Sequence, residues 1–114
     1  MSKKEAGKEG LVTNELRAIY QQAADEGFWI KELIGQPGHY MTTAIPIKKL
    51  KKMLKYAKKE KLMIGGKRIK TLHDVYNSLK LGDVINFDLG SPGSGKTREE
   101  ASKDALLKSR KGLN

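Results

Sequence analysis

Lys48, Lys49, Lys51, Lys52, Lys55, Lys58 and Lys59 are seven of the eight lysines that crowd into one stretch, IPIKKLKKMLKYAKKEKLM (Ile45–Met63). Their chemistry is that of a receptor for phosphates or other polyanions, since each ammonium group can neutralise one anionic oxygen. On a helical wheel Ile47, Leu50, Met53, Leu54 and Ala57 gather on one face. Lys48, Lys52, Lys55 and Lys59 fall almost opposite, with Lys51 and Lys58 on one flank and Lys49 on the other. Tyr56 borders the apolar face, where it can lie against a sugar or base or against the core. Lys67, Arg68 and Lys70 form a second basic cluster just downstream. Residues 1–43 carry 5 Lys/Arg against 6 Asp/Glu, and residues 73–114 carry 7 against 6. Residues 44–72 carry 11 against 1, so the whole formal net charge of +10 resides there. A solvated helix face usually mixes signs; this one does not.

A different chemistry is written in GSPGSGKT. Gly90, Gly95, Lys96 and Thr97 fit the phosphate-loop pattern G-x-x-x-x-G-K-T, in which backbone amides cradle phosphates, the lysine neutralises them and the threonine holds a metal ion. Only 17 residues follow Thr97. Nucleotide hydrolysis needs further strand–helix units and a metal-holding Asp, so the chain could act this way only as a fragment of a larger protein. A Gly/Ser/Pro linker before a basic tail produces the same letters.

No catalytic residue emerges. Asp25–Glu26 and Glu99–Glu100 are adjacent in sequence, Asp83 and Asp88 do not share a strand face, and Ser91, Ser94 and Ser102 lack a base. His39 and His73 stand alone and there is no cysteine, which excludes a disulfide frame and a thiolate metal site. No metal and no cofactor is expected. No apolar run has the length of a membrane span, and Met1–Gly10 lacks the apolar core of a signal peptide, so an intracellular location (cytoplasm, nucleoid or nucleus) is expected.

The elements that must position these residues follow from caps and periodicity. Residues 1–10 are apolar-free and read as a disordered lead-in. Thr13 caps a first helix with Leu16, Ile19, Tyr20, Ala23 and Ala24 at helical spacing, ended by Gly27. Phe28–Trp29–Ile30 reads as a brief strand or core plug, Lys31–Ile34 as a turn of helix and Gly35–His39 as a loop. The lysine helix comes next, with Thr43 as its cap and Gly65–Gly66 as its stop. Leu62–Ile64 and Lys67–Lys70 are short extended segments. Thr71, with Asp74 at N3, opens a short helix, and Val84–Leu89 alternates as a strand. Residues 91–114 form a Gly/Ser linker and a flexible basic tail whose weak helix, Thr97–Arg110, opens with a Thr97…Glu100 capping box.

GFWIKELI (Gly27–Ile34) leading to the lysine stretch resembles the winged-helix modules of RNA polymerase III initiation subunits, in which a Gly-aromatic-Trp step follows the first helix. LMIGGKRIKTL (Leu62–Leu72) and LKLGDVINF (Leu79–Phe87) are similar to the small RNA-binding module of ribosomal and pseudouridine-synthase proteins. The first resemblance implies an α+β winged helix-turn-helix-like domain over residues 11–90, with three main helices and a small antiparallel strand pair. Its function would be non-enzymatic binding of double-stranded DNA through phosphates; the second implies RNA instead. A larger protein or nucleoprotein assembly is an expected further partner, and a membrane is not.

Overall fold

The computed structural model describes residues 13–112; the expected disordered lead-in, residues 1–10, lies outside them. The described residues are α+β, with five helices and two small antiparallel sheets among them. Helix α1 (Asn14–Asp25) starts where Thr13 accepts a hydrogen bond from the Leu16 amide at 3.0 Å. It buries Leu16, Ile19 and Ala23, and Gly27 leaves it at φ +93°. Cap, stripe and stop are those expected.

Strands β1 (Phe28–Gln36) and β2 (His39–Pro46) then form a hairpin from Phe28↔Pro46 to Gln36↔His39, with an irregularity between Glu32 and Ile34. Pro37-Gly38, with Gly38 at φ +81°, makes the turn. This corrects three expectations. Lys31–Ile34 is strand and not helix, the loop shrinks to two residues, and Thr43 is buried in β2 where a helix cap was expected. The periodicity misled because Thr42, Thr43, Ala44 and Ile45 are all buried. A strand covered on both faces shows no alternation.

The other edge of β2 pairs with β5 (Gly93–Gly95), giving the sheet order β1-β2-β5. Helix α5 (Arg98–Gly112) packs beside α1 on one sheet face, where Ala105 and Leu106 join Ala23, Phe28, Ile30 and Ala44 in one core. The expected linker and flexible tail are therefore a strand and a packed helix of the same framework. α5 escaped notice because small residues cover its buried side: Ala101, Ser102, Ala105 and Ser109, with Leu106. They let the helix press onto β5, where a Cβ on Gly93 would collide with the Ala105 backbone.

Residues 47–92 are an insert between β2 and β5, lying on the opposite sheet face. Its core gathers Leu50, Ala57, Ile69, Val75, Leu79, Val84 and Leu89 around Ile45, with Trp29 and Leu33 from β1. The insert opens with α2 (Ile47–Lys59), continues with the short strands β3 (Met63–Ile64) and β4 (Lys67–Arg68), and closes with α3 (Leu72–Ser78) and α4 (Leu81–Asn86). β3–β4 pairs the expected strand at Leu62–Ile64 with Lys67–Arg68 beside the lysine helix, turned by Gly65–Gly66, both at positive φ. The helix itself stops earlier. Lys61 sits at φ +56°, while its amide and that of Leu62 reach back to the carbonyls of Lys58 (3.2 Å) and Ala57 (2.9 Å). That is a Schellman closure with lysine where glycine is usual. The first half of the expected strand Val84–Leu89 is the end of α4 and the rest a turn, because Asp83 accepts from the Lys80 amide at 2.9 Å and starts a helix. The hairpin β1–β2 stands where a winged helix has its short second helix.

Candidate nucleic-acid interface

Helix α2 turns Leu50 and Ala57 fully inward and Met53 and Leu54 partly so. No side chain caps its start, but the Ile47 amide donates to the Gly27 carbonyl at 2.9 Å, tying the helix to the end of α1. Six of the seven helix lysines assigned to the interface, Lys48, Lys51, Lys52, Lys55, Lys58 and Lys59, are exposed. Lys49 is not part of that set. Its ammonium donates to the Asp88 carbonyl and lies 3.6 Å from the Asp88 carboxylate, stapling α2 to the end of α4.

Lys67, Arg68 and Lys70 are also exposed. In sequence they form a cluster separate from the helix; the fold joins them to it. Lys58, Lys61, Arg68 and Lys70 line one depression of about 240 Å³ where α2 ends against the hairpin. Lys61 was missing from the expected site because it lies beyond the helical periodicity. Its left-handed backbone turns the chain towards β3, and only the Schellman closure could have signalled that.

Elsewhere four cations meet acids. Arg98 lies 2.6 Å from Glu32, Lys103 2.6 Å from Glu15, Lys108 3.0 Å from Asp104 and Arg110 2.6 Å from Glu26. Hydrogen bonds from Arg110 hold the Glu26 carboxyl below the usual range, and the Glu32 carboxylate raises Arg98. Among the described residues, no ion pair of the lysine-rich segment exists besides Lys49–Asp88.

The phosphate-loop run has a structural occupation. It follows a helix, not a strand, and supplies β5 and the start of α5. Its amides are answered from within the chain: Ser94 donates to Asp104 (3.1 Å), Lys96 to Glu100 (3.0 Å), and the Glu100 amide to Thr97 (3.1 Å). Gly90 takes φ +124° beneath the Ala44 carbonyl, and Gly95 gives room to α5. A phosphate would have to displace two carboxylates, so Gly90, Gly95, Lys96 and Thr97 are not a phosphate cradle here. Thr97 caps the helix, and Lys96 points to solvent.

Of the aromatics, Phe28 is core, and Trp29 packs against His73 (4.8 Å between centroids) and Tyr76 (5.7 Å). The Tyr76 hydroxyl donates to the Ile30 carbonyl, and burial pushes its pKa up to about 12. Tyr56 is 60% exposed and borders the lysine row. Among the described residues no group of three or more His, Asp or Glu is placed to hold a metal, and no helix is long and apolar enough to cross a membrane. The chain matches no family model, no curated protein and no solved structure.

Proposed function

We propose that this chain binds nucleic acid without catalysis, double-stranded DNA first, by holding backbone phosphates with the cations of α2 and the β3–β4 hairpin. One observation carries the reading. Of eleven basic residues in 44–72, all but Lys49 (eleven minus one, ten) lack an acidic partner among the described residues. A row of cations without counter-charge repels itself and is relieved by a polyanion, with release of the polymer's counterions.

Helix α2, 13 residues or about 20 Å long, fits the major groove of B-form DNA, which is about 12 Å wide. The deep, narrow major groove of duplex RNA does not admit a helix, which favours DNA. The β3–β4 hairpin would lie beside the helix as a wing does, with the Lys58–Lys61–Arg68–Lys70 depression seating one phosphate between them. α2 contains no Arg, Asn or Gln, so base edges go unread by bidentate pairs and sequence preference is weak. Such binding suits a component of a larger nucleoprotein assembly.

The test is a salt titration of binding to duplex DNA, with duplex RNA and single strands as competitors. Replacing Lys48, Lys52, Lys55 and Lys59 by Ala keeps helix propensity. The slope of log K against log salt should fall by roughly 3–4 units, at about 0.9 per phosphate contact. A folded quadruple variant with an unchanged slope would overturn the reading.

A further inference from the structure

Beside the lysine row runs an apolar groove of about 540 Å³, walled by α2, β3, α3 and α4. Ile69, Val75 and Leu79 form its floor, while Tyr56, Ile64 and Phe87 stand at its lips 60%, 47% and 57% exposed. Six of the seven large hydrophobic side chains that the described chain leaves exposed belong to the insert; only Leu107 lies outside it. A concentration of that kind marks a surface meant to be covered.

Apart from Lys52 and the Tyr56 hydroxyl at its rim, the groove offers little hydrogen bonding to an occupant. The Ser78 hydroxyl donates to the Val75 carbonyl at 2.8 Å, and Asp83 accepts from the Lys80 amide at 2.9 Å, so both are engaged within the chain. A nucleobase would leave its polar edge unmatched there, whereas aliphatic side chains would lose nothing. On the rim stands Lys52, with Lys48 and Lys59 one and two turns away on the same side of α2. An apolar trough bordered by unpaired cations is complementary to an amphipathic helix with leucines on one face and carboxylates beside them.

We propose that the groove is the docking site for an acidic amphipathic helix of a partner protein, its apolar stripe between α2 and α4 and its carboxylates against Lys48, Lys52 and Lys59. The inference goes beyond nucleic-acid binding. The two ligands would compete for Lys48, Lys52 and Lys59, whereas the apolar groove residues belong to the helix site alone, so variants there separate the failure of one reading from that of the other.

The experiment uses the full chain and a labelled synthetic helix of about 18 residues, long enough to hold helical structure, with leucines at i, i+3, i+4 and i+7 and glutamates elsewhere. A matched peptide with lysine in place of glutamate, and an oligothymidine, serve as comparisons. The acidic peptide should bind saturably, at least about tenfold tighter than its basic counterpart. Phe87→Gln with Ile64→Gln should weaken it about tenfold or more, without altering the salt slope on duplex DNA. Tyr56→Ser should act in the same direction and stands in if the double variant unfolds. The proposal fails if the acidic peptide does not saturate, if both peptides bind alike, or if the folded groove variants bind it as the wild type does. It fails too if those variants lose oligothymidine binding or self-association while peptide binding persists.

Discussion

The two faces of the central sheet are built on opposite terms. On one, α1 and α5 close a core of small and aliphatic residues, and Arg98, Lys103, Lys108 and Arg110 each rest against an acid. On the other, the insert has a core of similar chemistry but leaves eleven cations without an acidic partner among the described residues and six large hydrophobics exposed. Both halves contain lysine and arginine in number. Among the described residues the framework pairs four of its eight with an acid, the insert one of its twelve. In the proposed reading it is the charge left without a partner, and not the charge count, that marks the binding surface. The framework is arranged for stability, and the insert keeps exposed what a partner would cover.

The strongest challenge to this contrast removes equal charge from each side. Lys58, Lys61, Arg68 and Lys70 changed to Ala should cost about a thousandfold in DNA affinity at 0.1 M salt, counting four phosphate contacts. Arg98, Lys103, Lys108 and Arg110 changed to Ala should shift affinity only a few-fold. That variant should instead lose stability, most of it from the partly buried Arg98–Glu32 pair. Similar affinity losses in both would erase the distinction between the halves.

Glycines separate the halves next. Gly93→Val drives a branched side chain into the Ala105 backbone and should cost about 3 kcal/mol or prevent folding. Gly82, in α4, has open space around its Cβ position and no positive φ, so Gly82→Ala should stabilise by about 0.5–1 kcal/mol. Chemical denaturation of the two variants measures both effects. A tolerated Gly93→Val would mean that α5 does not press on β5.

Lys61 tests whether the insert trades stability for charge. Glycine at this left-handed position should stabilise the chain by about 1 kcal/mol. The same Lys61→Gly variant should lose one phosphate contact, lowering the salt slope by about 0.9. Thermal melts and one titration suffice, and an unchanged slope would remove Lys61 from the interface.

The smallest expected effect is one of pH. The backbone amides of Lys70 and Thr71 donate to Asp74 and hold its carboxyl below the ordinary 3.8. The folded state binds that proton less readily than the unfolded chain. The resulting stability is full above the ordinary value and is lost as pH falls through the depressed one. Asp74→Asn should remove this part of the acid sensitivity and slightly lower stability at neutral pH. Melting curves from neutral to acid pH would show whether the difference from wild type narrows as expected.

What the sequence by itself determined is what neighbouring residues decide among themselves. Thr13 and Thr71 cap helices, Gly27 ends one, Gly65–Gly66 turns a hairpin, and α2 has its apolar stripe and cationic back, because each depends on contacts within a few residues. The segregation of charge into residues 44–72 was equally plain. What the sheet decided lay beyond that range. β2 lost its alternation to burial on both faces, and Val84–Leu89 reads as a strand yet has no strand to pair with. α5 hid its packing in alanines and serines, and Gly90–Thr97 carried the letters of a phosphate loop because two glycines must admit a helix. The meeting of Lys58 and Lys61 with Arg68 and Lys70 required the chain to reverse at φ +56° and fold a hairpin back on its own helix. No local pattern encodes such a contact, since its energy comes from groups that only the finished fold brings together.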